Sequence, residues 1–183
     1  MGVDDAVKRP AVFLDRDGVI NAAVVRDGKP YPPASVSVLE ILPGVPDALA
    51  ELKRAGYVLV VVTNQPDVAR GKTPRATIDA IHARLRAELP LDAIYACFHD
   101  DADRCACRKP GPGMLLDAAR DLDLDLSRSF MVGDRWRDTD AGVAAGCRAI
   151  FLDRHYLERK PTTFDVELSS LAEAAAWILG RST

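Results

Sequence analysis

Val12-Phe13-Leu14-Asp15-Arg16-Asp17-Gly18-Val19-Ile20-Asn21 opens on three apolar residues, sets two carboxylates two positions apart and follows them with a glycine. Side chains of an extended chain alternate between faces, so Asp15 and Asp17 can leave the carboxyl end of a buried strand in one direction. Open α/β sheets place their ligands at that end. There, one carboxylate can attack phosphorus as a nucleophile. The other can protonate the leaving oxygen and later activate water. A calcium loop shares the D-x-D-G opening but needs a glutamate at its twelfth position. That position, counted from Asp15, is Arg26, so spacing excludes calcium. A plain turn after a core strand fits these ten residues too, and the rest of the chain must separate the two readings.

Outward from this segment, short apolar runs alternate with helical patterns. Strands are expected at 11–14, 57–63, 93–97, 130–132 and 148–152, each bounded by glycine, proline or charge. Helices are expected at 45–55, at 74–88 with Thr73 as N-cap and Pro74 at the first position, and at 113–122, 138–145 and 168–179. Strand and helix repeated in this way predict an α/β three-layer sandwich, a mostly parallel sheet with helices on both faces. Residues 21–43, with Lys29-Pro30-Tyr31-Pro32-Pro33, read as a loop or flap beside the site. Nothing between elements is long enough for a separate cap domain, so the active face is expected to be open.

The chain has 183 residues, which suits one domain spanning 1–183. Its net charge of -3 provides no field to attract nucleic acid or an anionic membrane. No apolar run approaches the roughly 20 residues that span a bilayer. Met1-Gly2-Val3-Asp4-Asp5-Ala6 has neither a leader pattern nor a myristoylation pattern. A cytoplasmic protein is expected, with no nucleic acid or membrane partner, and a monomer because no exposed apolar helix stands out.

Three further motifs fall at expected strand ends. Thr63, closing Val60-Val61-Val62-Thr63-Asn64-Gln65, can offer a hydroxyl and neighbouring N–H groups to a phosphate oxygen. In Arg108-Lys109-Pro110 the lysine supplies a positive charge and the arginine can clamp phosphate in bidentate fashion. Met131-Val132-Gly133-Asp134-Arg135-Trp136-Arg137-Asp138 ends a strand in Gly-Asp. Asp134 beside Asp15 would make a hard oxygen site for Mg²⁺, which would also screen an anionic nucleophile from an anionic substrate. Asp138 reads either as a support for that site or as the N-cap of the next helix.

Together, in this order, the four motifs resemble the haloacid dehalogenase superfamily of phosphatases, over about Val12 to Gly146. The resemblance implies Asp15 as the phosphoaspartyl nucleophile, Asp17 as general acid and base, and Thr63 and Lys109 as phosphate anchors. It implies Mg²⁺ held by Asp15, Asp134 and the backbone carbonyl of Asp17. Asn21, Asn64, Arg70, Arg108 and Arg135 are candidate substrate contacts, with Arg70 and Arg135 offered to a second phosphate.

Cys97-Phe98-His99, followed by Cys105-Ala106-Cys107, supplies three thiols and an imidazole, a complete tetrahedral set for structural Zn²⁺. The metal would fold the loop over 97–107 and fix Arg108 and Lys109 directly behind it. Cys147 reads as a small buried hydrophobe. With Ala69-Arg70-Gly71 and Pro112-Gly113-Met114, this loop looks like the branch acting on heptose 1,7-bisphosphate, with histidinol-phosphate phosphatase domains close by. Pro66-Asp67, Gly111 and the Arg135-Trp136-Arg137 insert depart from that branch. A small-molecule sugar phosphate is the expected substrate. The rival from another class is a catalytically silent module that binds a phosphorylated metabolite. Trp136 is expected to pack rather than to stack on a sugar, and His82 and His155 carry no assigned role.

Overall fold

The computed structural model describes residues 8–180; the Met1-to-Ala6 reading lies outside them. Strands β1 (Ala11–Leu14), β4 (Val58–Asn64), β5 (Ala93–Cys97), β6 (Phe130–Gly133), β7 (Arg148–Leu152) and β8 (Val166–Leu168) form one sheet in the order β5-β4-β1-β6-β7-β8. Every pairing in it is parallel. A parallel sheet must be covered on both faces, so its strands read as continuous apolar runs. β1 accordingly presents four buried residues in a row.

The pleat divides those residues between two layers. Val12, Leu14, Leu59 and Val61 join a core with α1 (Val45–Arg54), α2 (Arg75–Glu88) and α5 (Leu171–Leu179). Ala11, Phe13, Val58, Val60 and Val62 face α3 (Gly113–Asp121) and α4 (Trp136–Ala145). Close seating of α4 on β6 depends on Gly142, where a Cβ would stand 2.5 Å from the Met131 Cβ. Trp177 of α5 meets Phe130 edge-on at 6.1 Å between ring centroids. It packs against the core as expected, and so does buried Cys147.

The flap is more ordered than the sequence reading allows. Residues 24–26 and 29–31 form an antiparallel hairpin, β2 and β3, joined at Asp27-Gly28. Both turn residues have positive φ, 50° and 70°, the conformation that an Asp-Gly pair supplies to a tight hairpin. A side chain at Gly28 would be strained by its φ and would have to displace Leu157, whose side chain lies 2.4 Å from where the Cβ would fall and whose N–H donates to the Gly28 carbonyl at 2.8 Å.

Three helix starts differ from expectation. Pro74, not Thr73, is the N-cap of α2 and makes no side-chain cap bond. α4 begins two residues early, so Asp138 is its third residue rather than its cap. α5 begins at Leu171 because Ser170 accepts a hydrogen bond from the Glu173 N–H; residues 166–168 before it extend the sheet as β8. No helix among the described residues is long and apolar enough to cross a membrane.

Candidate active site

Four chain segments reach one carboxyl-terminal edge of the sheet. Asp15 follows β1, Thr63 and Asn64 close β4, Lys109 lies between β5 and α3, and Asp134 follows β6. Lys109 sits at the centre and is buried. Its ammonium lies 2.8 Å from Asp15, 2.6 Å from Asp138 and 2.7 Å from the Val62 carbonyl. Burial alone would depress its pKa, but Asp138 and Asp15 outweigh that and lift it to about 12, so the lysine stays charged.

Asp15, Asp134 and Asp138 place carboxylate oxygens within 4.8 Å of one another. With Lys109, the ionised cluster sums to a charge of -2, and burial drives protons back on. Desolvation first, then Asp138, raises Asp15 from 3.8 to about 6. Desolvation and Asp15 raise Asp134 well above its ordinary value. Asp134 Oδ1 is buried with no hydrogen-bond partner, whereas Oδ2 accepts from the Tyr156 hydroxyl at 2.7 Å. An unpartnered buried oxygen beside a cluster of charge -2 fits a divalent cation with oxygen ligands. Gly18, with φ of 87°, leaves room for the Asp134–Tyr156 pair: its Cβ would lie 1.8 Å from Asp134 Oδ2 and 2.8 Å from the Tyr156 hydroxyl.

Asp138 therefore joins two devices. One oxygen accepts from the Arg135 N–H at 3.0 Å, as a third-position carboxylate does at a helix start. The other pairs with Lys109. It belongs to the carboxylate cluster in closer company with Asp15 and Asp134 than the sequence reading expects.

Asp17 is held separately. Its carboxylate accepts from Arg16 at 2.9–3.1 Å, from Asn21 at 3.0 Å and from Gln65 at 2.9 Å. Gln65 also donates to Thr63 Oγ1 at 2.9 Å, tying the acid to the phosphate anchor. Asn21, read from sequence as a substrate contact, is fully buried and braces Asp17 behind the cavity wall. Asn64 lines the cavity, but its amide is engaged on both sides by the Lys109 backbone, at 3.0 and 3.1 Å. It fixes the lysine's position. Arg16, Gln65 and Tyr156 are contributors that the sequence reading missed. Only the neighbourhood of Arg16 and Gln65 to recognised motifs could have signalled them.

A cavity of about 270 Å³ opens over these groups, bounded by Asp15, Asp17, Thr63 and Lys109 below and by residues 29–32 of the hairpin on one side. Arg70, Arg108, Arg135 and Arg137 line its rim. Each is matched by a carboxylate: Arg70 to Asp100 at 2.6 Å, Arg108 to Asp101 at 2.7 Å, Arg137 to Asp101 at 3.4 Å and Arg135 to Glu158 at 2.6 Å. Trp136 lies outside this cavity between two guanidiniums, Arg159 at 3.6 Å and Arg137 at 4.6 Å from its ring centre, which agrees with packing.

Cys97, His99, Cys105 and Cys107 converge as predicted. Sulfur–sulfur separations of 3.2 to 3.6 Å and His99 Nδ1–sulfur separations of 3.3 and 3.6 Å are far too long for disulfides. They approach the roughly 3.8 Å edge expected of sulfurs around Zn²⁺ at 2.3 Å. The four donors fit a tetrahedral zinc with no position left open. Directly behind them, Gly111 and Gly113 sit against the Ala106 carbonyl, where added Cβ atoms would approach to 2.7 and 2.4 Å. The zinc loop is thereby clamped to the segment that carries Lys109.

This fold and site define a hydrolase class, and the comparisons agree. The chain matches the haloacid dehalogenase-like hydrolase family over residues 22–146, and it belongs to that family. It is 40% identical to the D-glycero-beta-D-manno-heptose-1,7-bisphosphate 7-phosphatase of Escherichia coli K12, covering 93% of this chain and 88% of the relative. The Salmonella typhi enzyme of the same name is 39% identical, over 93% and 89%. A crystal structure of the D,D-heptose 1,7-bisphosphate phosphatase from B. bronchiseptica, with magnesium and phosphate, superimposes with a TM-score of 0.80 at 37% identity, covering 94% of this chain and 99% of that one. A Mesorhizobium loti HAD-like phosphatase structure gives 0.76 at 34% identity, over 97% and 90%.

Two outcomes follow from this geometry. Cys105→Ser should weaken zinc affinity by roughly 100-fold or more and lower the melting midpoint; bound zinc by mass spectrometry and a thermal scan check it, and full zinc occupancy would contradict the ligand set. The second concerns Asp15. Its folded pKa of about 6 lies above its ordinary 3.8, so the metal-free protein loses stability as pH rises through that interval and carries the full penalty above it. A bound divalent cation opposes the same penalty. Mg²⁺ should therefore raise the melting midpoint clearly at about pH 7.5 and much less at about pH 5, where protons compete for the cluster. Equal Mg²⁺ shifts at both pH values would contradict the cluster as its site.

Proposed function

We propose that this protein is a Mg²⁺-dependent phosphatase that releases the 7-phosphate of D-glycero-β-D-manno-heptose 1,7-bisphosphate through an aspartyl-phosphate on Asp15. The observation that carries the reading is one buried cluster: Asp15 in contact with Lys109, grouped with Asp134, and open to a cavity whose rim holds four arginines. A bisphosphate brings two dianionic ends. The floor suits the reacting one and the arginine rim suits the other. The relatives' names supply the sugar.

In the first step an Asp15 oxygen attacks phosphorus in line, and the bond from phosphorus to the sugar oxygen breaks. Asp17 gives its proton to that oxygen, so the sugar departs as an alcohol. In the second, water attacks the same phosphorus while Asp17 takes a proton from it. The bond to Asp15 breaks, and inorganic phosphate leaves with Asp15 restored as a carboxylate. Lys109, exchanging one of its three present acceptors for phosphate, and the Thr63 hydroxyl hold phosphoryl oxygens. Asp15, Asp134 and the Asp17 backbone carbonyl would hold Mg²⁺, with Asp138 beside them, and the ion would offset charge gathering on the phosphoryl oxygens. Asp17 must exchange one of its present donors for the substrate oxygen, and Gln65 is the candidate because it lines the cavity and shares its amide with Thr63.

Arg70, Arg108 and Arg135 are proposed contacts for the second phosphate, each releasing or sharing its carboxylate partner. We place the activity in a cytoplasmic, monomeric enzyme.

The test is phosphate release with Mg²⁺ from both anomers of heptose 1,7-bisphosphate, fructose 1,6-bisphosphate and histidinol phosphate, with Asp15→Asn alongside. Preferred turnover of the β-anomer at the 7-position is expected, with a loss of roughly 10³-fold or more in Asp15→Asn at unchanged circular dichroism. Preference for histidinol phosphate would keep the mechanism and replace the substrate. No turnover of any of them would favour the silent binding module.

A further inference from the structure

Arg16 separates the two catalytic aspartates in sequence, and none of its side chain reaches solvent. A buried guanidinium has five donors and no acceptor, and its burial demands partners for them. Nε and one terminal nitrogen of Arg16 fork onto the Asp17 carboxylate in three contacts of 2.9 to 3.1 Å. The other terminal nitrogen points away from the site, into α2, and meets His82 Nε2 at 3.1 Å. Because arginine cannot accept, His82 must be the acceptor there, with Nε2 unprotonated and any ring proton on Nδ1. The environment agrees: burial first, then Arg16 itself, push His82 down to about 4, so the imidazole is neutral at working pH. α2 is anchored independently of the active site, since Arg84, two residues on, donates to the Val36 and Leu39 carbonyls at 2.9 and 3.2 Å.

We infer that His82 is a positioning residue for the general acid. As a neutral acceptor at the far end of the Arg16 guanidinium, it sets the plane of that fork and thereby the direction in which Asp17 presents its carboxyl to the leaving oxygen. His82 is part of neither the cavity lining nor the carboxylate cluster. The inference rests on the proposed role of Asp17 as acid. It also distinguishes His82 from a residue that merely packs, because loss of acid positioning harms only the reactions that need an acid.

A sugar alkoxide is a poor leaving group and needs protonation as it departs, whereas nitrophenolate leaves unaided. The phosphorylation step is isolated by kcat/KM, which precedes and excludes hydrolysis of the aspartyl-phosphate. The experiment measures kcat/KM with Mg²⁺ for heptose 1,7-bisphosphate, for a simple primary alkyl phosphate and for p-nitrophenyl phosphate. It uses wild type, His82→Leu, His82→Gln and Arg16→Lys. His82→Leu removes the acceptor and fills its space. His82→Gln restores an acceptor oxygen. Arg16→Lys keeps the charge but loses the planar fork, and it carries the test if the leucine variant fails to fold.

The alkyl-to-aryl ratio of kcat/KM should fall roughly tenfold or more in His82→Leu and Arg16→Lys, a part of the 10²–10⁴-fold that a positioned acid contributes, and return toward wild type in His82→Gln. A uniform loss on all substrates, an unchanged ratio, or no recovery with glutamine would each overturn the inference. Failure of the wild type on heptose bisphosphate alone would overturn the substrate reading instead, and the alkyl-to-aryl comparison would still score His82.

Discussion

The whole site depends on an ammonium group that has left water. Lys109 is buried with two carboxylates and a carbonyl around it, and each of those partners comes from a different element. Taking such a charge out of solvent costs several kcal/mol before any compensation. Only fixed, short contacts from several directions offset that cost. Asp15 must therefore stand at the end of β1 and Asp138 on the first turn of α4, while β4 must lend the Val62 carbonyl. The lysine in turn gives Asp15 a partner of opposite sign and leaves the three-carboxylate cluster with a charge of -2. That residual charge, and the orphan oxygen of Asp134, make the place for a divalent cation.

Nothing in the lysine's own segment could hold it there. Residues 98–112 contain no strand and no helix beyond a single short turn, and the apolar side chains available to them are few. Soft donors do what a hydrophobic core does elsewhere: three sulfurs and one imidazole gather at metal-ligand distances. Gly111 and Gly113 let the following chain close onto the loop backbone, and Asn64 brackets the Lys109 peptide from β4. The two cation sites thus divide by chemistry, thiolate and imidazole for a fixed structural ion, carboxylate and carbonyl for one that meets substrate.

The parallel sheet was legible because burial on both faces leaves a strong trace, runs such as Val58 to Val62 with no polar residue. β1, β5 and β7 fall within their expected bounds for that reason. β8 leaves no such trace: none of its three residues is buried, and the last of them, Leu168, falls inside the helix expected at 168–179. The hairpin carried its signal in Asp27-Gly28, masked by Pro30, Pro32 and Pro33 that follow it. In the site, residues that do chemistry were visible because phosphoryl transfer needs particular groups at strand ends. Their supports were not. Arg16, Gln65, His82 and Tyr156 act through contacts across 22 to 66 positions of sequence or through an adjacent carboxylate, and no local pattern marks such a pairing. Asn21 illustrates the converse error, a polar residue beside the motif whose role is to brace rather than to bind.

The account stands on Asp15 as the atom that receives the phosphoryl group. Acid quenching during steady turnover of heptose 1,7-bisphosphate with Mg²⁺, followed by peptide mass analysis, tests that most directly. The result predicted is one phosphoryl group, labile to hydroxylamine, on the peptide carrying Asp15, and none in Asp15→Asn. A phosphoryl group on another residue, or turnover through direct attack of water with no phosphorylated enzyme at any quench time, would contradict it.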